Sequence, residues 1–125
     1  MDARTAARAS AQGYAWMRVA IGVVLLVAPG LMSLLLSGDA RRPAVRVLVR
    51  MAGVRDLALG VGALQAAAAG APTRPWVRAA AGCDAGDLLA AVLGFRSLPR
   101  WRRWLLLLLP AGGTAAGLLL AERVD

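Results

Sequence analysis

Along the chain, long apolar runs alternate with short polar links. Four runs stand out, over 14–36, 45–69, 76–95 and 101–120. Each is close to the ~20 residues that cross a ~30 Å hydrocarbon core as a helix. The links between them, "SGDARRPA", "GAPTRP" and "RSLPR", collect the Gly, Pro and Arg that end helices and face water. Links this short make successive helices antiparallel. The pattern therefore predicts an all-α fold, an integral membrane four-helix antiparallel bundle with up-down-up-down order. It forms a single domain over 14–125, preceded by a short Ala/Arg leader over 1–13 in which Arg4 and Arg8 share a helical face. The charged start and apolar core of the first run suit a signal peptide, with Gly38-Asp39-Ala40 as its cleavage site. The run is too long for that, and Pro29-Gly30 reads better as a kink or break in a spanning helix.

Composition sharpens this picture. Of the 125 residues, 59% are hydrophobic, and the mean hydropathy is +0.62, above what a soluble domain of this size needs. Basic residues outnumber acidic ones 15 to 7, for a formal charge of +8. Such a balance raises nucleic-acid binding, but the arginines cluster at the ends of apolar runs rather than on a polar module. The partner they fit is a lipid bilayer with anionic headgroups, not a nucleic acid. Trp16, Trp76, Trp101 and Trp104 fall near run ends, where amphipathic rings anchor a helix at the interface. In "RSLPRWRRW", Arg102 and Arg103 join them. The localisation that follows is the cell membrane, multi-pass. The arginine distribution leans weakly to both termini outside. The chain has no histidine and one cysteine, Cys83, so zinc, haem and iron–sulfur ligation lack their donors, and no cofactor or metal is expected. The absence of lysine, with abundant Ala, Gly and Arg, fits coding by a GC-rich genome.

The exceptions to the apolar pattern carry the chemistry. Arg55 and Asp56 sit side by side within the second run, and Asp84 and Asp87 lie three apart on one face of the third. Counted back from the link at 70–75, Arg55 and Asp56 lie about 20 Å deep, Asp87 about 16 Å and Asp84 about 12 Å. On antiparallel neighbours, Arg55 and Asp87 come within side-chain reach, and Arg18 of the first run can approach Asp84. Four unpaired charges at such depth oppose insertion by about 10–14 kcal/mol. Pairing, protonation or a water-filled pocket must offset that, and the reading favoured here is that the charges face one another. Small residues suit such packing. Gly82 and Gly86 are spaced for a close helix approach, and Gly53 and Gly60 share a face with Asp56, while Gly62 lies on the face of Arg55.

"GVRDLALG" at 53–60 followed by "GCDAGDLLA" at 82–90 resembles the paired signature of small four-helix bacterial membrane proteins, loosely similar to the DoxX-like group. The resemblance covers about a third of the chain. It implies the fold and a shared polar core of Gly53, Arg55, Asp56, Gly60, Asp84 and Asp87, with no activity attached.

Three functions compete. The first is a structural or partner-binding bundle whose Arg–Asp cluster fixes helix register, or docks a second copy or another membrane protein. The second is a small proton-coupled transporter or exporter subunit using Asp84 and Asp87. The third, a membrane enzyme using the acid pair or Cys83, is the least favoured, because no histidine or other activating base accompanies them.

Overall fold

The computed structural model describes residues 2–38, 41–98 and 100–124; Asp39 and Ala40 of the suggested cleavage site, and the side chain of Arg4, lie outside what is described. The described residues form α1 (Ala3–Val27), α2 (Pro29–Ser37), α3 (Pro43–Ala68), α4 (Arg74–Leu93), a 3₁₀ turn (Phe95–Ser97) and α5 (Arg100–Ala121), with no strand among them. The protein is all-α.

Local chemistry sets the helix ends. Pro29, Pro43 and Pro75 occupy the first turns of α2, α3 and α4, where a missing N–H costs nothing. After α3 the chain turns at Gly70, whose φ of 66° is left-handed. The Ala71 N–H donates to the Ala66 carbonyl at 2.8 Å and the Gly70 N–H to the Ala67 carbonyl at 3.2 Å. This paired arrangement satisfies two of the last carbonyls of α3 and reverses the chain tightly. Within α5, Pro110 removes a backbone donor, and the Thr114 hydroxyl donates to the Pro110 carbonyl at 2.8 Å.

Two antiparallel pairs dominate the packing. On α1 the buried positions are Ala11, Ala15, Arg18, Gly22 and Leu25, and on α3, apart from Gly62 under the Trp76 ring, they are Val49, Gly53, Asp56, Gly60 and Ala63. Both sets step by four and three, the heptad seam of two helices packed along their length. A Cβ at Gly22 would lie 2.7 Å from the Leu57 nitrogen and 2.8 Å from the Gly53 oxygen, and one at Gly60 would lie 2.7 Å from the Ala15 oxygen. The α1–α3 seam is thus backbone against backbone. On the other side α4 packs on α5, with Gly117 against Ala81 and Gly113 against Asp84. Arg74 ties the far end of α5 to the start of α4, donating twice to the Val124 carbonyl at 3.0 and 2.7 Å. Across the α3–α4 hairpin, the Trp76 ring lies over Gly62.

The first run differs from its expected form. In place of a leader and a helix over 14–36, one helix runs from Ala3 to Val27, the chain breaks at Ala28 (φ −124°, ψ 49°), and α2 follows. Proline at 29 forces the residue before it out of the helical region, while the Ala/Arg leader has high helix propensity and joins α1. Arg18 is therefore in the middle of its helix, not near its start. Of the four expected spans, the helical stretches Thr5–Val27 and Arg100–Ala121 are long and apolar enough to cross a membrane. α3 and α4 have the length, but Arg55 and Asp56, and Arg78, Asp84 and Asp87, interrupt their apolar character.

Candidate functional site

Arg18 occupies the α1 seam where a hydrophobic residue would normally pack. It is only 5% exposed. Its Nη1 donates to Asp56 Oδ1 on α3 at 2.9 Å, and its Nη2 donates to Asp84 Oδ2 on α4. Nη2 also donates to the Tyr14 hydroxyl at 2.8 Å, one turn earlier on α1, and the guanidinium lies 5.2 Å from the centre of the Tyr14 ring. Asp56 and Asp84 are buried as deeply as Arg18. One guanidinium therefore joins carboxylates from two other helices. The fork geometry of arginine suits this, since its nitrogens diverge in a plane and stay charged.

The second pair lies beside the first. Arg55 grips Asp87 with two parallel bonds, Nη1 to Oδ1 at 2.8 Å and Nη2 to Oδ2 at 2.7 Å. Its Nη2 is also 3.6 Å from Asp56 Oδ1, so Asp56 links both halves into one network across α1, α3 and α4. This half is more open: 31% of the Arg55 side chain and 48% of the Asp87 side chain are exposed. Three carboxylates share two guanidiniums. α5 contributes space rather than charge, because any side chain at Gly113 would overlap the Asp84 carboxylate.

The neighbours Arg55 and Asp56 thus point to different partners. About 100° apart around α3, Asp56 turns into the α1–α3 seam and Arg55 turns toward α4. All five charged residues named from the sequence, Arg18, Arg55, Asp56, Asp84 and Asp87, come together here.

Other expected residues sort differently. Gly53 and Gly60 make the close approach to α1, and Gly62 receives Trp76. Gly82 and Gly86 do not make the approach their spacing suggests: a Cβ at either would meet open space. They lie on the side of α4 opposite Val77, Ala80, Ala81 and Asp84, which are buried. Trp16, Trp101 and Trp104 are largely exposed, as interface anchors would be, whereas Trp76 is partly covered by its packing on Gly62. Arg102 and Arg103 are not free to reach outward. The Arg102 guanidinium stacks 4.9 Å from the Trp101 ring and lies against Gly38. Arg103 stacks 4.6 Å from the Phe95 ring and donates to the Leu98 carbonyl at 2.9 Å. Cys83 is a half-buried free thiol.

Tyr14, Gly22, Gly113 and Gly117 were not singled out from the sequence. Tyr14 was accessible, since it precedes Arg18 by one helical turn. Among the described residues no three Asp, Glu, Cys or His side chains converge so as to hold a metal ion. Asp56, Asp84 and Asp87 each turn to a guanidinium instead. The arrangement can hold three helices in one register through charge-assisted bonds. Comparison with known protein families, with curated proteins and with solved structures finds no match for this chain.

Proposed function

We propose that the chain is a small multi-pass membrane protein of the cell membrane, a four-helix antiparallel bundle in which α1 with α2, α3, α4 and α5 supply the spans. In this reading the charge network is structural: it selects which helices meet and in what register, and no turnover is required of it. The observation that carries it is Arg18, buried and bonded to one carboxylate on each of two other helices. The distribution of apolar side chains supports it. Val27, Leu93 and Leu108 are 75%, 79% and 67% exposed, while Arg18, Asp56 and Asp84 are inside. That is the inverse of a water-soluble surface, and so many outward apolar side chains would aggregate in water. In hydrocarbon the apolar outside is neutral, and the backbone approach along Gly22, Gly53 and Gly60 supplies the packing that holds helices together. The half-exposed Arg55–Asp87 pair and the outward Gly82 and Gly86 are where a second copy or another membrane protein would dock.

This reading expects the protein to stay with membranes after alkaline carbonate extraction. Single cysteines placed in a Cys83→Ser background at Ala71 and at Arg96 should label from opposite sides. Release by carbonate, or labelling of both from one side, contradicts it.

One feature favours a second reading, a proton-coupled transporter: three carboxylates against two guanidiniums leave one carboxylate without a cation of its own. Proteoliposome flux by the parent that is lost in Asp84→Asn, while circular dichroism shows the variant still folded, would establish transport and displace the purely structural account.

A further inference from the structure

The start of α1 lies over the α3–α4 turn, and between them is a cavity of about 200 Å³. Arg8 and Gln12 of α1 line it on one side, and Gly70, Pro72 and Thr73 on the other. It has room for several water molecules. Among the described residues no Asp or Glu lines it, and its one formal charge is the Arg8 cation.

Thr73 is the informative residue. It holds the N-cap position of α4, where a threonine hydroxyl ordinarily accepts a bond from the first-turn backbone, yet its side chain makes no such bond. It is only 9% exposed and lines the cavity. Pro75 has no N–H to offer the hydroxyl, and the Trp76 N–H donates to the Thr73 carbonyl at 3.1 Å. No protein group bonds to that hydroxyl at the cap, which leaves it to whatever enters the cavity. It sits at the positive end of a 20-residue helix, which favours an anion.

We propose that this cavity binds an oxyanion of the phosphate class, held between the Arg8 guanidinium and the Thr73 hydroxyl at the N-terminus of α4. The hydroxyl donates to an anion oxygen, the guanidinium donates from the opposite wall, and Gln12 offers a further amide donor. The site gives the leader segment a purpose, since it is the helical continuation of α1 through Ala3 that carries Arg8 over the turn. A phosphate diester of a lipid headgroup and free inorganic phosphate present the same chemistry.

The test uses the full chain in maltoside micelles, which carry no phosphate, and two probes. Inorganic phosphate alone is titrated and binding is read by calorimetry. Separately, the thermal midpoint is compared in the same micelles with and without added phosphatidylglycerol. Saturable phosphate binding that weakens about tenfold in Thr73→Val, survives in Thr73→Ser and is lost in Arg8→Gln identifies a free anion as the occupant. Absence of phosphate binding, with stabilisation by phosphatidylglycerol that disappears in Thr73→Val and Arg8→Gln, identifies the headgroup. Thr73→Val removes an unpartnered hydroxyl, so it should fold as well as the parent in the absence of anion, which separates lost binding from lost structure. The proposal is overturned if both probes act equally on the parent and on Thr73→Val. It is also overturned if Arg123→Gln, which alters a cation outside this cavity, reproduces the effect of Arg8→Gln.

Discussion

Replacing Arg18 with alanine is expected to destabilise the protein by about 3–5 kcal/mol, the cost of leaving buried carboxylates without their cation. The size follows from position. Asp56 and Asp84 are 5% and 7% exposed and face Arg18 from different helices. Truncating Arg18 strands both, and Tyr14 loses its donor as well. Reversible unfolding in mixed micelles, followed by circular dichroism, measures the loss. Removing all the charge should be far milder than removing the cation alone. Arg18→Met combined with Asp56→Asn and Asp84→Asn should recover most of the stability, because a neutral, well-filled replacement of a buried ion cluster is often tolerated. A single Arg18→Ala that unfolds like the parent would show that the carboxylates are compensated by something other than this guanidinium.

The second large effect is expected along the α1–α3 seam. Gly22→Val and Gly53→Val should each cost about 1–3 kcal/mol or more, because the added atoms meet backbone that cannot rotate away. The nearest atoms to a Cβ at Gly22 are the Leu57 nitrogen and the Gly53 oxygen, and to one at Gly53 the Gly22 oxygen at 2.9 Å. Forcing the helices apart also lengthens the Arg18–Asp56 bond, so packing and charge losses arrive together. Gly82→Val and Gly86→Val provide the contrast. Each opens into free space within the chain, and each should change the stability of the isolated chain by no more than about 0.5 kcal/mol. The same unfolding measurement reads all four variants. Equal losses at Gly22 and Gly82 would contradict the packing described.

The positions of the apolar runs located the helices α3, α4 and α5 to within a turn, because length and hydropathy act residue by residue. The Arg55–Asp87 pair was also readable. A short turn around Gly70 places residues equally far on either side of it at the same height, and these two are nearly so. The α1–α3 seam was not readable by hydropathy. Its positions on α1 are Ala11, Ala15, Arg18, Gly22 and Leu25, so small residues and one charge replace the apolar stripe that a heptad usually shows. Spacing alone could have revealed it. The glycine pairs show the limit of spacing. Gly82 and Gly86, and Gly113 and Gly117, are both four apart, yet only the α5 pair meets a neighbour. Which face of a helix turns inward depends on its partners, and for α4 that face was fixed by Asp84 reaching Arg18. The start of α1 was hidden by composition, since an Ala/Arg segment reads equally as a polar leader and as a good helix.

The role of Arg18 as the link between helices is tested most directly by a double-mutant cycle between Arg18→Gln and Asp84→Asn, with unfolding free energies measured for the parent, both single variants and the double variant. The double variant is expected to be more stable than the sum of the single losses allows, by at least about 1 kcal/mol. Losses that add to within about 0.3–0.5 kcal/mol would mean that α1 and α4 are not joined through this pair.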